Sequence, residues 1–299
     1  MAAAAIALLA ATLGTGAASA DLGTPDLQLP GSESGMPTCA VLNPHMLAGY
    51  IGTGAPQPSR PLDERFATPP RDWCSTNVGY SKLGFGANGL TFTVPPTIEK
   101  LFPYNNAEVL PKPVFEPGQT MTYRINGSEN INSWNGTTGW GISNRSIDPL
   151  GLELAWFMWN GSDGPVGQAS ELAAPAFRAT GSDLPRGFFM MVKRAGIIAP
   201  QIVLLNTNIL AKPHDYAVRL GTDKVESYVD GQKVGSFGNP PVGTWHDISG
   251  QPVPLMGQMW LDSSYWFPLP IVQFNNRWQS ITLAHYRQGP SASTPLTLN

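Results

Sequence analysis

The chain has 299 residues, of which only 13% are charged, and a net charge of −3. Soluble domains ordinarily carry about a quarter charged residues, and no run of Lys or Arg marks this chain as a partner for nucleic acid or anionic membrane. With 32 glycines and 29 prolines it is rich in turns and poor in surface helices, and its length suits one large all-β domain.

Residues 1–20, MAAAAIALLAATLGTGAASA, hold an apolar stretch too short to span a bilayer and end in Ala-Ser-Ala before Asp21. This is the small-x-small pattern of a signal peptide, although the basic n-region is missing. The mature chain is expected to begin at Asp21, in a secreted or cell-envelope protein, and the Ala-rich leader points to a bacterium. Residues 21–75 are dense in Pro, Gly, Ser and Thr without sustained periodicity and read as an extended arm. Cys39 and Cys74 are the only cysteines. In an oxidising compartment they are expected to pair and tack the arm onto the core, the alternative being two buried thiols.

The spacing G-x-G-x-x-G occurs at Gly84–Gly89, but LTFTVPP follows it, where a dinucleotide site would open a helix. Leu90 to Val94 therefore reads as a strand after a glycine turn. Further strands are expected over Gln119–Ile125, Gly139–Ser143, Leu150–Trp159, Gly187–Lys193 and Gln201–Leu205, with one short helix over Gln168–Arg178. In LGLELAWFMW, Glu153, Ala155, Phe157 and Trp159 share one face, and Leu152, Leu154, Trp156 and Met158 the other. Both are mostly apolar, so this strand is expected to be central.

The clearest stretch is Lys212 to Phe237. His214 to Leu220 alternates polar and apolar residues, Gly221-Thr222-Asp223 turns the chain, and Lys224–Val229 meets Gln232–Phe237 across Asp230-Gly231. Asp-Gly supplies the two positive φ angles of a type I′ hairpin turn. PLMGQMWLDSSYWFPLP (254–270) and RWQSITLAHYRQG (277–289) follow, and the end of the chain, 289–299, with PSASTPLTLN as its last ten residues, reads as a loose tail.

His-x-Tyr at 214–216 followed by Tyr-Val-Asp-Gly-Gln at 228–232 resembles the H-x-Y … W-Y-V-D-G segment of the concanavalin A-like β-sandwiches, above all the laminarinase- and lichenase-type glucanases of glycoside hydrolase family 16. Residues 279–287, QSITLAHYR, resemble that family's closing strand, and the segment from Pro254 sits where its Met-x-Leu-x-Leu-Asn-Leu strand lies. Three matches in order over about 212–288 imply an antiparallel two-sheet jelly roll, here expected over 76–288.

Function needs a separate argument. The family's retaining enzymes carry Glu-x-Asp-x-Glu on one strand, because alternation then places nucleophile and acid/base on one face. This chain has no such motif. If LELAWFM is the corresponding strand, Glu153 alone remains, with Ala155 and Phe157 in place of the other two acids; if it is the strand just before, the catalytic position falls near GFFMMVK, which carries no carboxylate. Acids relocated from elsewhere would come from Glu153, Asp148, Asp163 and Asp262. His45, His214, His246 and His285 are scattered without ligand spacing, so no metal site or cofactor is expected, beyond room for a structural calcium ion. G-x-S-x-G is absent, and Asn126, Asn135, Asn144 and Asn160 lie in sequons that matter only in a eukaryotic secretory route.

Nine tryptophans remain, and sugar rings stack on aromatic faces. Half of them are expected in the core, with Trp134, Trp159, Tyr265 and Trp266, alongside Glu153, as the groove residues. The leading expectation is a glycan-binding or envelope-associated protein without the glucanase acids. The alternatives are a polysaccharide hydrolase or lyase with relocated acids and a structural surface protein that binds protein or lipid. The oligomeric state is open.

Overall fold

Short alternating or wholly apolar runs, broken by Gly, Pro and Asn, form fifteen strands among the described residues. These are β1 (Leu62–Glu64), β2 (Trp73–Val78), β3 (Lys82–Gly86), β4 (Gly89–Val94), β5 (Asn106–Pro111), β6 (Gln119–Asn126), β7 (Thr137–Ser143) and β8 (Leu154–Asn160). They continue as β9 (Gly187–Lys193), β10 (Gln201–Leu205), β11 (His214–Leu220), β12 (Val225–Val229), β13 (Gln232–Phe237), β14 (Met256–Asp262) and β15 (Gln279–Pro290). A computed structural model describes residues 35–39, 56–78, 80–96, 105–134, 136–144, 150–161, 185–197, 199–243, 246, 253–262 and 278–298.

All strand pairs are antiparallel and fall into two sheets. One runs β13-β12-β11-β6-β15-β4-β3, with β1 on β15, and the other runs β10-β9-β8-β7-β14-β5-β2. The expected all-β sandwich is therefore the observed architecture. Its core lies between the sheets, where Trp140, Phe157 and Phe188 of the seven-stranded sheet surround Tyr216 of the other at ring separations of 4.8, 5.2 and 5.9 Å. A second aromatic run, Phe66–Trp73–Tyr286–Tyr123, ties β1's neighbourhood and β2 to β15 and β6.

The hairpin forms as its sequence dictates. Asp230 and Gly231 have φ of 48° and 76°, and Val229 pairs with Gln232. β8 is buried along its whole length and lies between β7 and β9, as its two apolar faces require.

Two expectations at the ends need correction. The segment 21–75 is in part sandwich: it supplies β1 and the start of β2, and Met36, Phe66 and Trp73 join the core. Its Pro/Gly content hid a short pairing strand and isolated anchor residues that no periodicity test detects. Cys39 and Cys74 are disulfide-bonded and buried against Leu110 and Met256. The tail, expected to be loose, is pinned. Thr120 Oγ1 donates to Ser291 Oγ (2.9 Å), Thr122 Oγ1 to the Pro295 carbonyl (2.6 Å) and the Leu298 N–H to Asp215 Oδ2 (2.7 Å). Thr120 and Thr122, two apart on β6, and Asp215 on the adjoining β11 give the tail its hydrogen bonds, so no periodic pattern of its own is needed. Residues 1–20 and the helix expected over 168–178 lie outside the described residues.

Candidate functional site

Each strand of the seven-stranded sheet alternates between the core and an outer face, and register decides which side chains meet there. Across the outer face one row runs Gln258, Gly141, Trp156, Met191, Ile202, and the next runs Thr76, Glu108, Trp260, Gly139, Met158, Phe189, Leu204. A third holds Asn106, Asp262, Thr137 and Asn160. The face thus divides in two. Toward β8 and β9 it is an apolar cluster of Leu152, Leu154, Trp156, Met158, Phe189, Met191 and Trp260, all buried. Toward β2, β5 and β14 it is polar, and Thr76 and Asn106 are only half-buried.

The seam between the halves is built on glycine. A Cβ on Gly139 would lie 2.3 Å from Trp260 Cη2, so the indole lies where any other residue's side chain would stand. Trp260 rests 4.7 Å from the Trp156 ring, and its Nε1–H donates to Thr137 Oγ1 (3.0 Å). Thr137 in turn gives both its N–H (3.0 Å) and its hydroxyl (2.9 Å) to Asp262 Oδ1. Gln258 Nε2 donates to Glu108 Oε1 at 2.5 Å. Beneath this layer Tyr123, reaching from β6, donates its hydroxyl to the Gly141 carbonyl (2.7 Å) and approaches the Gln258 backbone. Burial pushes the Tyr123 phenol far above its ordinary pKa, so it stays a proton donor clamping the floor of the site to the opposite sheet.

Several polar atoms here have no hydrogen-bond partner among the described residues. Gln258 Oε1, Trp156 Nε1, Asn106 Oδ1 and Thr76 Oγ1 are all buried and unpartnered. Because the Gln258 nitrogen is fixed by a carboxylate that can only accept, its oxygen is left as an acceptor. Orphaned donors and acceptors beside an aromatic pair suit a ligand that carries hydroxyl groups on an apolar ring.

The residues singled out from the sequence are distributed differently. Trp159 is 2% exposed and faces the core, not the outer face, in register with Thr138 and Phe188. Its strand is apolar on both sides, so alternation alone could not say which side faces out; the outward indole is that of Trp156. Trp134 is likewise a core residue. Glu153 is fully buried, and its two carboxylate oxygens accept the N–H groups of Val242 (3.1 Å) and Gly243 (2.9 Å), which makes it a loop staple. Tyr265, Trp266, Asp148 and Asp163 lie outside the described residues. Asp262 does reach the outer face. Glu108 is missed by the sequence reading, although Asn106 and Glu108 alternating with Ala107 and Val109 is the signal that marks β5. No group of three His, Cys, Asp or Glu among the described residues could hold a metal ion, and no helix among them is long and apolar enough to cross a membrane.

No family model and no curated protein matches the sequence. Solved structures do match. A native glycosidic hydrolase superposes with a TM-score of 0.52 at 16% identity, over 81% of this chain and 100% of its own. The chain has the fold of a glycosidic hydrolase. A Bacillus licheniformis β-glucanase (TM-score 0.49, 12% identity, 78% of this chain and 99% of that one) and a prokaryotic β-1,3-1,4-glucanase from a mouse hindgut metagenome (0.47, 13%, 77% and 99%) are also similar. The two-sheet antiparallel sandwich expected from the sequence is thus a fold shared with a solved hydrolase, while the chemistry of this sheet has to be read from its own side chains.

Proposed function

We propose that the protein is an exported, non-hydrolytic glycan-binding protein that holds a polysaccharide segment on the outer face of its seven-stranded sheet. The observation that carries this reading is the set of unpartnered polar atoms, Gln258 Oε1, Trp156 Nε1, Asn106 Oδ1 and Thr76 Oγ1, around the Trp156–Trp260 pair. A pyranose supplies what they lack: hydroxyls that both donate and accept. The half-buried Thr76–Asn106 side is where a sugar chain would enter. Support for a binding rather than a hydrolytic role comes from β8 and β9. Their outward residues, Leu154, Trp156, Met158 and Asn160 on one and Phe189, Met191 and Lys193 on the other, include no carboxylate. The disulfide and the leader are in keeping with export to a bacterial envelope or medium.

A second reading rests on Glu108 and Asp262, which occupy diagonal positions on neighbouring strands of this face. Diagonal neighbours lie about 7–8 Å apart, with their Cβ atoms somewhat closer, within reach of an inverting pair of acids.

One experiment separates the readings. Electrophoresis of the purified protein through a gel containing a soluble β-glucan should show retardation, with no reducing ends released. Trp156→Ala should abolish the retardation and Gln258→Ala should weaken it. Turnover that disappears in Glu108→Gln would establish the enzyme instead. Neither retardation nor turnover on a broad polysaccharide panel would leave a structural surface protein.

A further inference from the structure

Gln258 and Glu108 stand on neighbouring strands of the outer face, 8% and 4% exposed, and their side chains meet through Gln258 Nε2 and Glu108 Oε1 at 2.5 Å. An amide has two unlike ends, a nitrogen that only donates and an oxygen that only accepts, and a carboxylate takes the nitrogen end alone. Gln258 is also held from below, since its backbone N–H and its carbonyl both lie 3.3 Å from Tyr123 Oη. Its Oε1 is left buried without a partner. In the same row, past Gly141 with no side chain, stands the unpartnered Trp156 Nε1, which can only donate. One lone acceptor and one lone donor are thus set two strands apart, about 9–10 Å at the spacing of a sheet.

We propose that Glu108 is a positioning residue, which locks the Gln258 amide with its oxygen toward the ligand, so that the site selects glycan segments with a free hydroxyl there over segments O-alkylated or O-acylated at that point. The inference rests on the glycan-binding reading. A hydroxyl donates to Gln258 Oε1, whereas an ether or ester oxygen only accepts and would leave two acceptors facing each other away from water. At the Trp156 end either kind of oxygen serves, because an indole N–H asks only for an acceptor. Selection therefore lies at the Gln258 end, and Glu108 acts through Gln258 rather than on the ligand.

Affinity electrophoresis of the full-length protein, in gels holding a soluble β-glucan or the same polymer after O-methylation, reads the preference as a ratio of apparent Kd values. Wild type should favour the unmethylated polymer by about tenfold or more, the size expected when one buried acceptor is left unpaired. Glu108→Gln keeps the shape but lets the two amides pair either way round, so retardation on the methylated gel should rise and the ratio should fall toward one. A merely structural pair would show in the melting temperature and leave the ratio alone. The reciprocal variant Glu108→Gln/Gln258→Glu should restore the wild-type ratio, because a carboxylate at 258 again offers the ligand only an acceptor; it stands as the test by itself if the single variant does not fold. A wild type retarded on neither gel would remove the glycan reading and this inference with it. Retardation on β-glucan without a preference in wild type, the wild-type ratio retained in Glu108→Gln, or a folded reciprocal variant that lacks the preference would each overturn the inference alone.

Discussion

His214 Nδ1 lies 2.5 Å from Asp230 Oδ2, and the other oxygen of the same carboxylate accepts the Asp215 N–H at 2.9 Å. One side chain thus ties the start of β11 to the β12–β13 turn. Burial raises the Asp230 pKa, but the Asp215 N–H and His214 outweigh it, so the carboxyl is held below its ordinary value. The H-x-Y and D-G elements legible in the sequence, sixteen residues apart at His214 and Asp230, are the two ends of this contact.

The turn itself should be sensitive to substitution. Gly231→Val places a β-branched residue at φ 76° and is expected to destabilise the fold by about 1–3 kcal/mol. Thermal melting checks this; an unchanged midpoint would mean that the turn does not need positive φ.

On the outer face of the eight-stranded sheet, Glu226 accepts from Lys233 Nζ (2.7 Å) and Tyr228 Oη (3.0 Å), with Lys224 Nζ at 3.5 Å. The Lys233 hydrogen bond chiefly holds its pKa down at about 2, against 4.5 ordinarily. A depressed folded-state pKa gives stability that is complete above about pH 4.5 and is lost as pH falls toward about 2. Urea midpoints of wild type and Glu226→Gln should therefore differ at neutral pH and converge near pH 2. A pH-independent gap would contradict the assignment.

Glu153→Ala removes the acceptor of two backbone N–H groups and should cost about 1–3 kcal/mol. Below its melting temperature the variant should retard on a β-glucan gel like wild type. Selective loss of binding without loss of stability would return Glu153 to the site.

Gly139→Ala tests the glycine seam. The added methyl would meet Trp260 Cη2 at 2.3 Å and the Phe157 carbonyl at 2.8 Å, an overpacking expected to cost about 1–3 kcal/mol. Displacing the indole should shift tryptophan emission and weaken glycan retardation together.

Cys39→Ser/Cys74→Ser opens a crosslink with a sequence separation of 35 and should lower stability by roughly 3–4 kcal/mol on the loop-entropy model. Unreduced peptide mapping of wild type should recover the Cys39–Cys74 link, and two freely alkylated thiols would refute it.

The amino-acid sequence by itself determined what depends on local chemistry. Alternation placed β11, Asp-Gly placed the hairpin turn, and flanking Gly and Pro bounded β9 and β10, because period and turn geometry are properties of a few consecutive residues. That no Glu-x-Asp-x-Glu occurs in the chain is likewise a fact of the residues alone. Which face of β8 looks outward was decided only by the tertiary structure. Ala155, Phe157 and Trp159 are as apolar as Leu154, Trp156 and Met158, so the choice rests on which set finds Tyr216 and its neighbours across the sandwich. The union of Glu108 with Gln258, 150 residues apart, and of Asp262 with Thr137, 125 apart, likewise arises from strand order and register, which no local pattern encodes.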